Sequence, residues 1–201
     1  MIVNRNKYSA GMVKLSFWFL EYRKFVIFLL EGKHVDEIKQ INNSENIFSA
    51  STKARAIQIF NTVASRACGL SNGLHRVFAD SDVTTQKVIA LIAIMNTDSL
   101  FFDFVFEVYR EKLLLGSDKL TDSDVRVFFN NKQVQSEKVA DWTDYTLKRL
   151  GTCYKTMLTE AGLIDRSSGE KKIIRPILHK RLVDSLNENG MEIFVKALTG
   201  V

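Results

Sequence analysis

Residues 143–176 read TDYTLKRLGTCYKTMLTEAGLIDRSSGEKKIIRP and hold two periodicities back to back. In the first half, Leu147, Leu150, Tyr154, Met157, Leu158 and Ala161 recur at three- and four-residue steps, the spacing of one helix face, until Gly162 supplies a stop. Tyr145, Arg149, Thr152 and Thr156 therefore share the opposite face. The second half is short and extended: Leu163 and Ile164, a polar turn over residues 165–170, then Lys171 to Arg175 before Pro176, which cannot donate to a strand ladder. This spacing predicts a helix followed by one short C-terminal β-hairpin.

Outward from that stretch the chain is sparing of breakers. One proline and ten glycines in 201 residues exclude a collagenous, proline-rich or hairpin-heavy chain and leave a mainly α fold. Apolar spacing predicts a helix over residues 15–30, ended at Gly32, and a shorter one over about 35–41, with the polar run Asn42 to Asn46 as a loop. Ser51 or Thr52 caps the next, over residues 54–68, with Ile57, Phe60, Ala64, Ala67 and Cys68 on its apolar face and Arg55, Gln58, Thr62 and Arg66 opposite. Ser81 and Asp82 open a helix through Met95. Thr97 and Asp98 open another to about Gly116, whose Phe101, Phe104, Val105, Val108 and Tyr109 predict the central core helix. Thr121 and Asp124 have capping-box spacing for a helix to about Asn131, and two more helices are expected over residues 178–189 and 191–198. The expected architecture is a helical bundle with an N-terminal helix-turn-helix-like unit (1–80), a helical core (81–131) and a C-terminal winged-helix-like unit (132–201).

Composition excludes further classes. The longest uncharged apolar run, Val88 to Met95, has eight residues where a membrane span needs about 20, so no membrane partner is expected. Cys68 and Cys153 lack CxxC partners, which fits a reducing cytoplasm. His34, His75 and His179 are scattered, and no phosphate-cradling or nucleophile-elbow motif occurs, so no enzyme, cofactor, metal or small-molecule substrate is expected. The acidic clusters Asp98, Asp103, Glu107 and Glu111, and Asp118, Asp122 and Asp124, read as caps and solvated faces.

Charge is distributed unevenly. The chain carries 28 basic and 23 acidic residues, a net +5. Residues 142–181 hold 9 basic and 4 acidic, so this one segment carries +5, while residues 82–141, with 7 and 10, carry −3. A helix bearing basic residues and followed by a basic hairpin has the layout of a winged helix, whose recognition helix enters the major groove while the wing touches the flanking backbone. On that layout Tyr145, Lys148, Arg149 and Lys155 lie on the inserted helix, and Arg166, Lys171, Lys172 and Arg175 on the wing. Arg55, Gln58 and Arg66 form a candidate second reader. The expected partner is double-stranded DNA, held mainly through phosphates and hence with little sequence choice.

Short motifs along the chain carry a family resemblance. They are Tyr8-Ser9-Ala10-Gly11, Glu21-x-Arg23, Leu29-Leu30-Glu31-Gly32, Tyr109-Arg110-Glu111-Lys112-Leu113, Leu120-Thr121-x-x-Asp124, Trp142-Thr143-x-x-Thr146-x-x-Arg149-Leu150 and Leu158-x-Glu160-Ala161-Gly162-Leu163. In this order, over residues 8–165, they resemble the BrxA family of bacteriophage exclusion (BREX) defence systems. The resemblance implies a non-enzymatic accessory protein that binds double-stranded DNA. It further implies a mostly helical fold with a likeness to NusB, helix-turn-helix or winged-helix units near both ends, and methyltransferase, ATPase and phosphatase-like partners. Two other functions stay open: RNA binding, from the NusB aspect, and a scaffold that docks defence partners on the acidic middle segment.

Overall fold

A computed structural model describes residues 8–167 and 171–201. A 3₁₀ turn, Gly11–Lys14, leads into α1 (Phe19–Leu30), α2 (Val35–Glu45), α3 (Lys53–Cys68) and α4 (Asn72–Ala79). Thr52 Oγ1 accepts from the Arg55 N–H at 3.2 Å and Ser71 Oγ from Leu74 at 3.3 Å, so short hydroxyl side chains satisfy first-turn donors that the helix itself leaves unpaired. Asp82 does the same for α5 (Val83–Thr97), accepting from Thr84 and Thr85 at 2.8 and 3.1 Å.

At Asp98 the chain bends by 117° into a second helical run, made of α6 (Ser99–Phe104), a π-helical turn (Val105–Tyr109) and α7 (Arg110–Leu114). Asp98 serves both helices: its N–H donates to the Ile94 carbonyl at 3.0 Å, and its carboxylate accepts from Phe101 at 2.9 Å. No single helix among the described residues is long and apolar enough to cross a membrane. Then follow β1 (Lys119–Leu120), α8 (Asp122–Gln135), α9 (Glu137–Ala140), α10 (Asp144–Glu160), β2 (Lys171–Lys172), α11 (Lys180–Glu188) and α12 (Glu192–Thr199). The fold is mainly helical.

Every residue from Val88 to Met95 is buried, and α1, α3, α4, α6 and α10 pack on α5. The most enclosed helix is therefore α5, and not the following one as its phenylalanines suggested: Phe102 and Phe106 are only partly covered and Leu114 is exposed. Other expectations are corrected too. The first helix begins at Phe19, because Trp18 takes a left-handed conformation (φ 51°) that breaks the run from Leu15. Residues 42–45 are helical, since Asn42 is buried and donates to the Ala56 carbonyl at 3.4 Å. On α3, Ile57 and Cys68 are exposed while Ile59, Phe60 and Val63 are buried, so the apolar face is rotated from the expected one.

The ribbon has three short segments. β1 pairs antiparallel with β2, Lys119 opposite Lys172 and Leu120 opposite Lys171, while Ile164 bridges Ile173. Part of the expected turn, residues 168–170, lies outside the described residues. The ribbon is pinned to the helices by Tyr109, whose hydroxyl donates to the Ile174 carbonyl at 2.7 Å, and by Arg175, which donates to the Leu113 carbonyl at 3.2 Å. Phe129 stacks on Tyr154 with ring centroids 5.8 Å apart. All these contacts except the Ile164–Ile173 bridge cross position 131, the expected boundary of the C-terminal unit.

Candidate nucleic-acid interface

Helix α10 is built as its stripe dictates. Thr143 Oγ1 accepts from Thr146 at 3.3 Å to start it, and Leu147, Leu150, Tyr154, Met157, Leu158 and Ala161 are all buried. Gly162, at φ 80°, then turns the chain in a conformation that a side chain would strain. The other face is open. Tyr145, Lys148, Arg149, Thr152 and Thr156 are exposed, and the Arg149 guanidinium lies 5.9 Å from the centre of the Tyr145 ring. Exposed cations beside hydroxyls and one aromatic ring can meet phosphate oxygens and base edges.

The ribbon adds Arg166, whose side chain is 75% exposed and 3.9 Å from Glu160, and Lys172, also exposed. Asp165 shapes its base by accepting from Ser167 at 2.8 Å and from the Lys172 N–H at 3.0 Å. Those hydrogen bonds, the Ser167 one first, hold the Asp165 carboxyl below the usual range. Lys171 donates to the Ser167 carbonyl, and Arg175 is exposed although tied to Leu113.

Between α8 and α10 lies an open cleft of about 490 Å³. Its floor is Val125, Phe129, Leu147 and Gly151, and its walls include Arg126, Lys148 and Lys155. A Cβ at Gly151 would sit 2.5 Å from Val125 Cγ1, so the helices approach here more closely than any side chain allows. Lys155 is half turned inward and pairs with Asp122 at 2.5 Å. In the sequence Asp122 reads only as a cap or solvated face and Arg126 does not stand out, because both fall in the acidic middle segment and only the fold carries them to the basic one.

The N-terminal candidates fare differently. Arg55 is half-buried over the Trp18 ring at 4.8 Å and donates to Gln58 at 2.7 Å, and Gln58 donates to the Lys14 carbonyl at 3.3 Å. Arg66 was expected on the surface. It is 2% exposed, donates to the carbonyls of Ser16 and Phe17 at 3.0 and 2.9 Å, and has its pKa pushed down to about 10 by burial. No phosphate can reach it, because the segment before α1 lies across the face expected to be open.

A second enclosed cation is Lys132, bonded to Asp103 at 2.9 Å and Glu107 at 2.6 Å. Burial alone would lower its pKa, but those two carboxylates raise it above the ordinary lysine value. Tyr8 donates to the same Asp103. The His75 Nε2–H donates to the Ala67 carbonyl at 3.0 Å inside the core. Among the described residues there is no group of three His, Cys, Asp or Glu arranged to hold a metal ion.

Comparison with known proteins gives concordant results. A family model described as BrxA matches residues 6–190. A Bacillus cereus (strain H3081.97) protein named "BREX protein BrxA" is 38% identical over 199 residues, covering 99% of this chain and 100% of its own length. Among solved structures, that of an uncharacterized protein from Magnetospirillum magneticum has the same fold, with a TM-score of 0.80 at 19% identity over 98% of this chain and 100% of the other.

Proposed function

The chain belongs to the BrxA family, and from that premise we propose that it is a non-enzymatic accessory protein of a BREX phage-defence system that binds double-stranded DNA. The observation that carries this proposal is the open face of α10, with Tyr145, Lys148 and Arg149, standing beside a ribbon that bears Arg166, Lys171, Lys172 and Arg175. From α6 to the ribbon the order, with the four-residue α9 set aside, is helix, strand, helix, helix and antiparallel hairpin, which supports a winged-helix reading. On this reading the unit draws in residues from Ser99 onward. α10 lies in the major groove, the ribbon tracks the adjacent backbone, and Arg55 with Gln58 makes a weaker second contact.

About six phosphates neutralised by these side chains give a log affinity that falls against log salt with a slope of about −5. Competition gel shifts with random duplex DNA, single-stranded DNA and RNA test the proposal, with duplex expected to compete best. RNA competing better transfers the surface to RNA recognition, and a salt-independent affinity or no complex at low salt sinks nucleic-acid binding.

A second reading, docking of other BREX components such as the methyltransferase, ATPase or phosphatase-like protein, is favoured by the end of α7. There Leu115 and Val201 are exposed, and the Leu114 side chain lies 3.5 Å from where a Gly200 Cβ would stand.

A further inference from the structure

We propose that the cleft between α8 and α10 is the seat of one phosphodiester group, held in the free protein by the carboxylate of Asp122. This rests on the DNA reading for the source of the phosphate, and deepens it by naming a contact and its competitor.

Asp122 begins α8, and its side chain is 76% exposed, whereas the Lys155 it pairs with at 2.5 Å is only 23% exposed. The lysine has turned from solvent into the cleft wall to meet the carboxylate. Arg126 and Lys148 bear on the same carboxylate and, with Lys155 first among the causes, hold it below the ordinary carboxyl range. Lys155 thus pairs with this carboxylate while Arg126 and Lys148 line the same cleft, with Asp144 as the other acid in the lining.

A phosphodiester carries the same single charge as a carboxylate and likewise presents two acceptor oxygens, so it fits the place that Asp122 fills. Lys148 and Thr152 belong both to this cleft and to the exposed face of α10, which puts a phosphate seated here on a strand flanking the groove that α10 would occupy. The apolar floor and the close approach at Gly151 keep the two walls at fixed spacing. Asp122 therefore acts as an internal competitor that weakens duplex binding and shifts the salt concentration at which it is lost.

Asp122→Asn keeps the size of the side chain and leaves the Thr121–Asp124 capping box in place. In D122N the duplex affinity near 0.1 M salt is expected to rise about tenfold and the salt slope to steepen by about 0.9, the signature of one more neutralised phosphate. The double variant D122N/K155Q should return to within about threefold of the parent, because the freed ammonium is then absent. Titration with inorganic phosphate, followed by calorimetry, gives an arm free of DNA: D122N takes up phosphate and D122N/K155Q does not. Melting curves establish that each variant is folded. A D122N variant with parental affinity, parental slope and no phosphate uptake overturns the seat. If no protein binds duplex yet D122N still takes up phosphate in a Lys155-dependent way, the seat stands and the DNA reading falls.

Discussion

On α3, Arg66 donates to the carbonyls of Ser16 and Phe17 and Arg55 lies over Trp18; on α10, Lys148 and Arg149 stand in solvent with the Tyr145 ring beside them. Both helices carry cations opposite an apolar stripe, and the difference is what crosses the polar side. The segment before α1 runs over α3 and takes the Arg66 donors for its own backbone carbonyls, that of Phe17 being buried. The described residues place no such segment over the outer face of α10. A basic helix face is a binding surface only where the rest of the chain leaves it uncovered.

Charge reversal breaks the comparison most visibly. Arg149→Glu with Lys171→Glu and Lys172→Glu is expected to weaken duplex binding by at least about five-hundredfold near 0.1 M salt, each of three lost phosphate contacts being worth about eightfold. At the exposed Arg149 and Lys172 and the half-buried Lys171, each change should alter stability by about 0.5 kcal/mol or less. Arg55→Glu should weaken binding by less than about tenfold. Gel-shift titrations beside melting curves decide it: a C-terminal variant that binds like the parent, while the Arg55 variant fails, would move the principal surface to α3.

Arg66 sharpens the contrast from the other side. Arg66→Met strands the buried Phe17 carbonyl and the partly buried Ser16 carbonyl and is expected to cost about 2–4 kcal/mol, roughly 5–15 °C in melting temperature for a chain of this size. Binding per folded molecule should stay within about twofold. An unshifted melting curve would contradict the structural role.

Next in size is Gly151. An added methyl group meets Val125 at 2.5 Å, and overpacking of about 1–3 kcal/mol less about 1 kcal/mol of helix propensity leaves Gly151→Ala destabilised by about 1 kcal/mol. Adding Val125→Ala should recover part of that loss, and a double-mutant cycle with no coupling would rule out the contact.

The smallest effect is a pH dependence. Burial lowers the pKa of His75, so the unfolded chain takes a proton near pH 6.5 while the folded one resists. Stability is then complete above about pH 6.5 and declines as the pH falls towards the folded value. Melting temperatures between pH 7.5 and 5 should show a decline that is flattened in His75→Gln.

Much of this was legible in sequence where one period runs unbroken. The stripe of α10, its stop at Gly162 and the box at Thr121 and Asp124 all sit where their residue types put them. So does the exposure of Tyr145, Lys148, Arg149, Arg166 and Lys172. Other features needed the tertiary fold. The stripe of α3 includes Ala56, Ala64 and Ala67, small residues that contrast weakly with either face, so the inward side of Arg66 left no pattern. β1 has two residues and no period, and its partner is distant in sequence. The Asp122–Lys155 pair joins segments that charge counting had placed in opposite classes.

That distance between β1 and β2 has a consequence for how the protein comes into being. Lys171 follows Leu120 by 51 positions, so at roughly 5–20 residues per second a ribosome needs roughly 3–10 s to supply the second strand after the first. Loop-closure entropy opposes so long a connection until α8 and α10 have packed and brought the ends together. The ties from Tyr109 to Ile174 and from Arg175 to Leu113 wait on the same event. The basic ribbon is thus assembled late in synthesis, and a nascent chain halted before residue 171 carries α10 and Arg166 without Lys171, Lys172 and Arg175.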